Sequence, residues 1–500
     1  MFNSKETTGE VQKGTAMRKT LKIKNIAIAA VAAAAMLTAA ACGAQNTEEA
    51  GSSASSNTAS VSSAAQDQTS GTYLTAEDIT INETMENNED GGHAIEADGE
   101  SASYSNIKVV KTGESSGDEA DFYGENAAIF ATNGAALDLT EMVIETNGTH
   151  ANAVFSYGEG TTVNVSDSVI ETSGNCSGGI MTTGGGTMNA ENLTIHTTGN
   201  SSAAIRSDRG GGTVTVNGGS YTTEGTGSPV IYSTADITVS DARMESTASQ
   251  GVVVEGQNSV TLNDVTLIAN NNTKNSDKSD YYQAVMIYQS MSGDADEGNA
   301  SFTMNGGTLT NLNGDIFFVN NTLCDINLSN AQIVNEGDGI FLRAEAAGWG
   351  NEGSNGGHVT LNASSQTIDG DMVVDEVSSL NLYLTEGSTF DGAINSDGEA
   401  GDVYVELSGG STWKLTGDSY ITSLTCDADS IDLNGYTLYL NGKAYTAGSA
   451  SSGEAIEVEI TSSGGGMGEA PGGMGTPPEG TGGQGGPGGT PPAGDPPAKP

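Results

Sequence analysis

Residues 229–267 read PVIYSTADITVSDARMESTASQGVVVEGQNSVTLNDVTL. The apolar pair Pro229-Val230 is followed by the alternating run Ile237-Thr238-Val239 and the polar corner Ser240-Asp241. A second pair, Gly251-Val252, then restarts the order, with Val260-Thr261-Leu262 and Val265-Thr266-Leu267 after it. Alternation at period two sends apolar side chains to one face of a strand and Thr, Asn, Asp and Ser to the other. Ser, Asp, Asn and Gly between such runs supply the chemistry of tight turns. The stretch therefore reads as short strands joined by sharp corners.

The same unit extends in both directions. Its apolar pair recurs as Ala94-Ile95, Ala128-Ile129, Ala153-Val154, Gly179-Ile180, Ala204-Ile205, Pro229-Val230, Gly251-Val252, Ala284-Val285, Asp315-Ile316 and Gly339-Ile340. The second members are separated by 34, 25, 26, 25, 25, 22, 33, 31 and 24 residues. A period in the twenties with three short strands per turn predicts a solenoid, because no single repeat can bury its own apolar face. The fold expected is all-β, a right-handed parallel β-helix of the pectin-lyase-like kind, with disordered N- and C-terminal segments; the hand follows from the bias of parallel crossovers. About thirteen coils at ~4.8 Å each make a rod of roughly 60–65 Å. The 70 glycines suit corners, and the 5% aromatic content suits a narrow core of small aliphatic residues.

The ends read differently. Residues 1–41 carry a basic start, with Met17 as an alternative first residue, and then the apolar run Ile26–Ala41; together they read as an export signal. Ala39-Ala40-Ala41 before Cys42 resembles the lipobox of bacterial lipoproteins, with Leu37 two places further upstream than usual. That resemblance implies a lipid on Cys42, which would hold the protein in the membrane at the outer face of the bacterial cell envelope. Residues 42–71 read as a flexible Ser/Ala-rich stalk, 72–378 as β-helix repeats, and 464–500, with nine of the ten prolines and 15 glycines, as a disordered tail. Within 379–463, the segments Leu380–Phe390, Gly409–Gly417 and Ile431–Leu440 resemble the end of pertactin-like autotransporter passengers. By that resemblance Phe390, Trp413, Tyr436 and Tyr439 would plug the open end of the helix and hide its strand edges. Unlike in those passengers, no membrane barrel is expected to follow, and the lipid on Cys42 would do the anchoring. Residues 72–446 as a whole resemble β-helical adhesin-like surface proteins of bacteria.

Charge narrows the partners. The formal net charge is −47, and cleavage before Cys42 leaves 11 basic and 62 acidic residues. Nucleic acid is not expected, since phosphate binding needs basic patches, and long polyanions are disfavoured. Besides Cys42 there are Cys176, Cys324 and Cys426, too far apart in sequence to suggest a disulfide framework.

Catalytic patterns of the known β-helix enzymes are missing. The Arg-x-Pro-x-x-Arg pattern of pectate lyases is absent. Its nearest substitute, Arg206-Ser-Asp-Arg209, reads as turn arginines that neutralise neighbouring carboxylates. The Asp-Asp pair, Gly-His-Gly and Arg-x-Lys of polygalacturonases are absent too. His93, His150, His196 and His358 show no metal-ligand or triad spacing. No catalytic residue is assigned.

Insertions interrupt the coils at 112–126, 269–283, 289–300 and 344–357, and binding groups gather on such loops. Tyr281, Tyr282 and Trp349, with Asp294 and Glu345, are the expected ligand-binding residues: rings stack on sugars and carboxylates accept hydroxyl hydrogens. Asp294, Asp296 and Glu297 are a candidate Ca²⁺ set. The expectation is a non-catalytic, monomeric surface lipoprotein that binds glycans or surface proteins of host or neighbouring cells. The alternatives are a β-helix polysaccharide lyase or glycoside hydrolase, and a structural spacer.

Overall fold

A computed structural model describes residues 73–458 except 275, 291, 338, 399 and 400. The export segment, Cys42, the stalk and the 464–500 tail lie outside the described residues.

Three long parallel sheets carry the fold. A 10-stranded sheet runs from Glu83–Asn87 to Gln332–Asn335, an 11-stranded sheet from Ile95–Asp98 to Asp371–Val374, and a 13-stranded sheet from Ser101–Ser105 to Ser423–Cys426. Through most of the chain each strand pairs with the third strand further along, so the backbone visits the three sheets in rotation. The chain is a parallel β-helix. Inward positions stack from coil to coil, as Val214, Ile237, Val260 and Phe302 do, all of them buried. Corners between the 13- and 10-stranded sheets turn through left-handed residues: Asp167, Asn192, Gly218 with Gly219, Asp241 and Asp264 occupy successive coils. Asn, Asp and Gly tolerate this conformation best.

The register corrects three of the apolar pairs. Ile205 stacks on Ile231 rather than Val230, Val285 on Phe317 rather than Ile316, and Phe317 on Leu342, past an irregularity at Ile340.

A second repeat, unnoticed in the alternation, builds the corner that leads into the 11-stranded sheet. It reads Thr-x-Gly-x-x-Ser at 172–177, 197–202 and 223–228. Each Ser hydroxyl donates to the Gly carbonyl one coil earlier: Ser177 to Gly148 (2.8 Å), Ser202 to Gly174 (3.0 Å) and Ser228 to Gly199 (2.8 Å). Each also accepts a backbone N–H from that earlier coil, as Ser202 Oγ does from Ser177 (3.0 Å). The threonine closes its own corner, Thr172 Oγ1 donating to the Ser177 carbonyl at 2.6 Å. Ser202→Ala is expected to leave the buried Ser177 N–H without its acceptor and to cost about 1–3 kcal/mol by urea denaturation.

The C-terminal end is closed differently from the expectation. Phe390 and Trp413 are fully buried and stacked, with centroids 5.4 Å apart, but as core residues of a short sheet formed by Thr367–Asp369, Thr389–Asp391, Thr412–Lys414 and Ile431–Asp432. Tyr436 is 44% exposed and plugs nothing, and Tyr439 stacks on Tyr420. The chain itself covers the edge of the 13-stranded sheet. Ser451 bridges Cys426 in antiparallel fashion, Glu454 N–H donates to Ser423 Oγ (3.0 Å), and Ile456 exchanges two hydrogen bonds with Asn381. Covering an edge strand removes a template for aggregation.

Candidate functional site

The outer face of the 11-stranded sheet carries large side chains where a solvated face would carry polar ones. In register along it stand Phe130, Phe155, Met181, Arg206, Tyr232, Val253, Met286, Phe318 and Arg343. Phe155 and Phe318 are fully buried, although they point away from the solenoid core. The insertions roof this face.

Over the second half of the sheet the roof leaves a cleft of ≈ 250 Å³. Val253, Met286, Tyr232 and Tyr288 line its floor, and Tyr281, Tyr282, Trp349, Lys274 and Lys278 its walls. The Glu255 carboxyl group, 1% exposed, accepts hydrogen bonds from the Tyr232 and Tyr288 hydroxyls, the latter at 2.9 Å. Burial, together with the neighbouring Glu255, pushes both phenols above their ordinary range. Two insertions meet at the rim, where Gly348 N–H donates to the Lys278 carbonyl (2.7 Å). Asn355 holds the Trp349 loop through the Ala347 and Trp349 carbonyls (2.7 and 2.8 Å). Trp349 packs edge-on against Tyr288, with the Lys278 ammonium 5.5 Å from its ring centroid.

The five expected ligand residues are divided. Tyr281, Tyr282 and Trp349 come together at the cleft. Tyr281 is partly committed elsewhere: its hydroxyl donates to Glu345 (3.1 Å), and the Arg343 guanidinium lies 3.7 Å from its ring centroid. Glu345 thus supports the cleft from behind. Arg343 in turn binds Asp315 (2.6 Å) and Glu345 (3.1 Å); burial works against its charge, and these two carboxylates outweigh it.

Asp294 does not line the cleft. It takes the Arg209 guanidinium at 2.8 and 3.0 Å, with Asp118 (3.3 Å) and the Phe122 ring (3.8 Å to centroid) beside it. Both arginines neutralise carboxylates as expected, Arg206 pairing with Asp208 at 2.8 Å, but Arg206 lies in the strand Ile205–Ser207 and not in a turn. Asp294, Asp296 and Glu297 do not converge. Among the described residues, one set of His, Cys, Asp and Glu ligand atoms lies within 4.8 Å of one another, and it is Asp121, His150 and Cys176. The expectation that no histidine has ligand spacing is therefore corrected at His150. The signal was the repeat itself: His150 and Cys176 lie 26 residues apart, one coil, at the same place in successive corners. The adjoining Asp121 carboxylate and the Cys176 thiol push His150 up to about 9.

Cys176, Cys324 and Cys426 are free thiols. No helix among the described residues is long and apolar enough to cross a membrane.

Comparison with protein-family models, with curated proteins and with solved structures finds no match. What fold and site define is a parallel β-helix with one loop-roofed outer face and an aromatic cleft in that roof.

Proposed function

We propose that this protein is a lipid-anchored surface protein that binds glycans, without catalysis, in the cleft bounded by Tyr282, Lys278 and Trp349. The observation that carries the reading is the cleft's composition. Its walls hold aromatic rings, the amides of Gln250, Asn271 and Gln283, and two lysines, and no carboxylate. In a chain with 64 acidic and 17 basic residues, two lysines on the walls stand out, although Lys274 Nζ lies 3.9 Å from Asp280 and the Glu255 carboxyl lies beneath the floor tyrosines. Rings stack on the apolar face of a pyranose and amides pair with its hydroxyls. Lys274 and Lys278 favour a sugar bearing a carboxylate or sulfate. The surrounding acidic surface, acting within a Debye length of ~8–10 Å, opposes a long polyanion. The ligand class that satisfies both is a glycan with a single acidic sugar at its end. The anchor rests on Cys42 and its preceding segment.

A glycan array probed with residues 43–500 in EDTA tests this. Saturable binding to glycans with a terminal acidic sugar is expected, and it should persist in chelator because the cleft uses no metal. A blank array would remove the sugar reading and favour the spacer.

A further inference from the structure

The geometry points to a transition-metal site, suited to Zn²⁺, formed by Asp121, His150 and Cys176. It lies apart from the aromatic cleft, and none of its residues lines that cleft. Three pieces of chain build it. Asp121 comes from the short helix Asp118–Phe122 in the first insertion. His150 and Cys176 occupy the same position of successive corners, and backbone hydrogen bonds fix the stacking: His150 N–H to the Asn175 carbonyl (2.9 Å) and Cys176 N–H to the Asn200 carbonyl (2.8 Å).

Four observations favour an ion over other uses of these groups. First, the three ligand atoms all lie within 4.8 Å of one another, the span available around a single ion. Second, His150 is 8% exposed, and its Nδ1 sits 2.7 Å from Asp121 Oδ1 in an ion pair, so two of the three ligand atoms already meet in this corner. Third, the arrangement is not a nucleophile relay. A Cys-His-Asp relay uses opposite ring nitrogens, which keeps thiol and carboxylate on opposite sides of the imidazole; here the sulfur and oxygen lie within 4.8 Å of each other. Fourth, the position is left-handed in four successive coils, with φ 57° at His150, 55° at Cys176, 55° at Ser201 and 65° at Gly227. Glycine, asparagine, aspartate and histidine are the common occupants of such a corner, so local backbone preference does not account for a cysteine there.

The donor set selects the metal. Thiolate, imidazole and carboxylate together suit Zn²⁺ or Co²⁺, whereas Ca²⁺ and Mg²⁺ take oxygen. Thiolate and carboxylate together balance the charge of a divalent ion. The neighbouring Arg206 and Arg209 are already paired with Asp208 and with Asp294 and Asp118. Tetrahedral bonds of ~2.05 Å require the nitrogen–oxygen separation to open from 2.7 Å to about 3.3 Å. The ion would staple the first insertion to two coils and keep one coordination position for solvent.

The test is Co²⁺ titration of the full-length protein after chelator treatment, followed by Zn²⁺ competition. Expected are a 1:1 thiolate-to-cobalt charge-transfer band with tetrahedral d–d bands, both erased by Zn²⁺. Cys176→Ser should lose the charge-transfer band. Cys176→Ser and His150→Asn should each weaken Zn²⁺ binding by about 100-fold or more, since even indirect supports of a ligand are worth 10- to 100-fold. Neither variant threatens the fold: Ser201 occupies the same position one coil on, and Asn tolerates φ above zero. Absence of the bands, or bands unchanged in Cys176→Ser, overturns the proposal. So does alkylation of Cys176 at equal rates with and without Zn²⁺.

Discussion

Alanine at Tyr282 and Trp349 together will lower glycan affinity by at least about 100-fold and leave the strand signal in circular dichroism unchanged. Buried aromatic rings at the centre of a binding surface are each worth ~2 kcal/mol or more, and 1.4 kcal/mol is a factor of ten. The fold should survive because the loop is held without the Trp349 ring, by Asn355 on the Ala347 and Trp349 carbonyls and by Gly348 on Lys278. Tyr281 is a poor member of this test. Alanine there would uncover the half-buried Arg343 and remove a donor to Glu345, so lost binding could be lost structure. Tyr281→Phe keeps the ring under Arg343 and should leave affinity within about twofold. Lys274→Met with Lys278→Met separates two sources of affinity. It should abolish the preference for acidic sugars and spare stacking on neutral ones. Unaltered affinity in the Tyr282/Trp349 variant, measured by calorimetry, would place the ligand elsewhere on the protein.

Most of the solenoid was legible because its rule is local. Ile237 and Val239 face inward and Thr238 faces out for the same reason in every coil, and Asp241 turns the corner where Asp167 and Asn192 do. The errors lie where local pattern and stacking disagree. Val230 and Ile231 are both buried and both apolar, and only pairing with Ile205 shows which one carries the register. The 11-stranded sheet obscured its own alternation for a related reason. Ile129, Phe130 and Ala131 are all buried, because loops cover the outer face, and a strand buried on both sides reads as a continuous apolar run. Which loops cover which coils is a long-range fact. Asp294 reaches Arg209 across 85 residues, and no motif in the 289–300 segment announces that partner. The cleft aromatics were found because large rings in Gly-rich insertions stand out; the commitment of Tyr281 to Arg343 and Glu345 was not visible. His150 and Cys176 were missed because ligand spacing was sought along the chain, where a solenoid places neighbours one period apart.

That same corner is the place where the smallest substitution should do the most damage to stability. Gly113, Gly148, Gly174, Gly199 and Gly225 form a column in which a Cβ on each would lie 1.6–1.9 Å from a backbone carbonyl oxygen of the coil before. Gly174→Ala brings its methyl group to 1.9 Å from the Gly148 oxygen, the atom that also accepts from Ser177 Oγ. No side chain can rotate away, since the clash is with backbone on both sides, and separating the coils breaks the serine ladder and the adjoining strand pairs. Overpacking of a relaxable core costs about 1–3 kcal/mol; here relaxation is blocked, and at least about 3 kcal/mol is expected. The cost is steric rather than conformational, because Gly174 does not adopt a left-handed φ. Gly158→Ala is the matched control: φ is 90° and nothing lies within 4 Å, so only the left-handed penalty of about 1–2 kcal/mol applies. Coils of a solenoid are stabilised by their neighbours, so the damage should spread along the axis before it becomes global. Native-state hydrogen exchange should show lost protection from 146 to 202 in Gly174→Ala, with the coils beyond 300 still protected. Equal stability of the two variants would mean that the glycine column is incidental and that the coils are held in register by their strands alone.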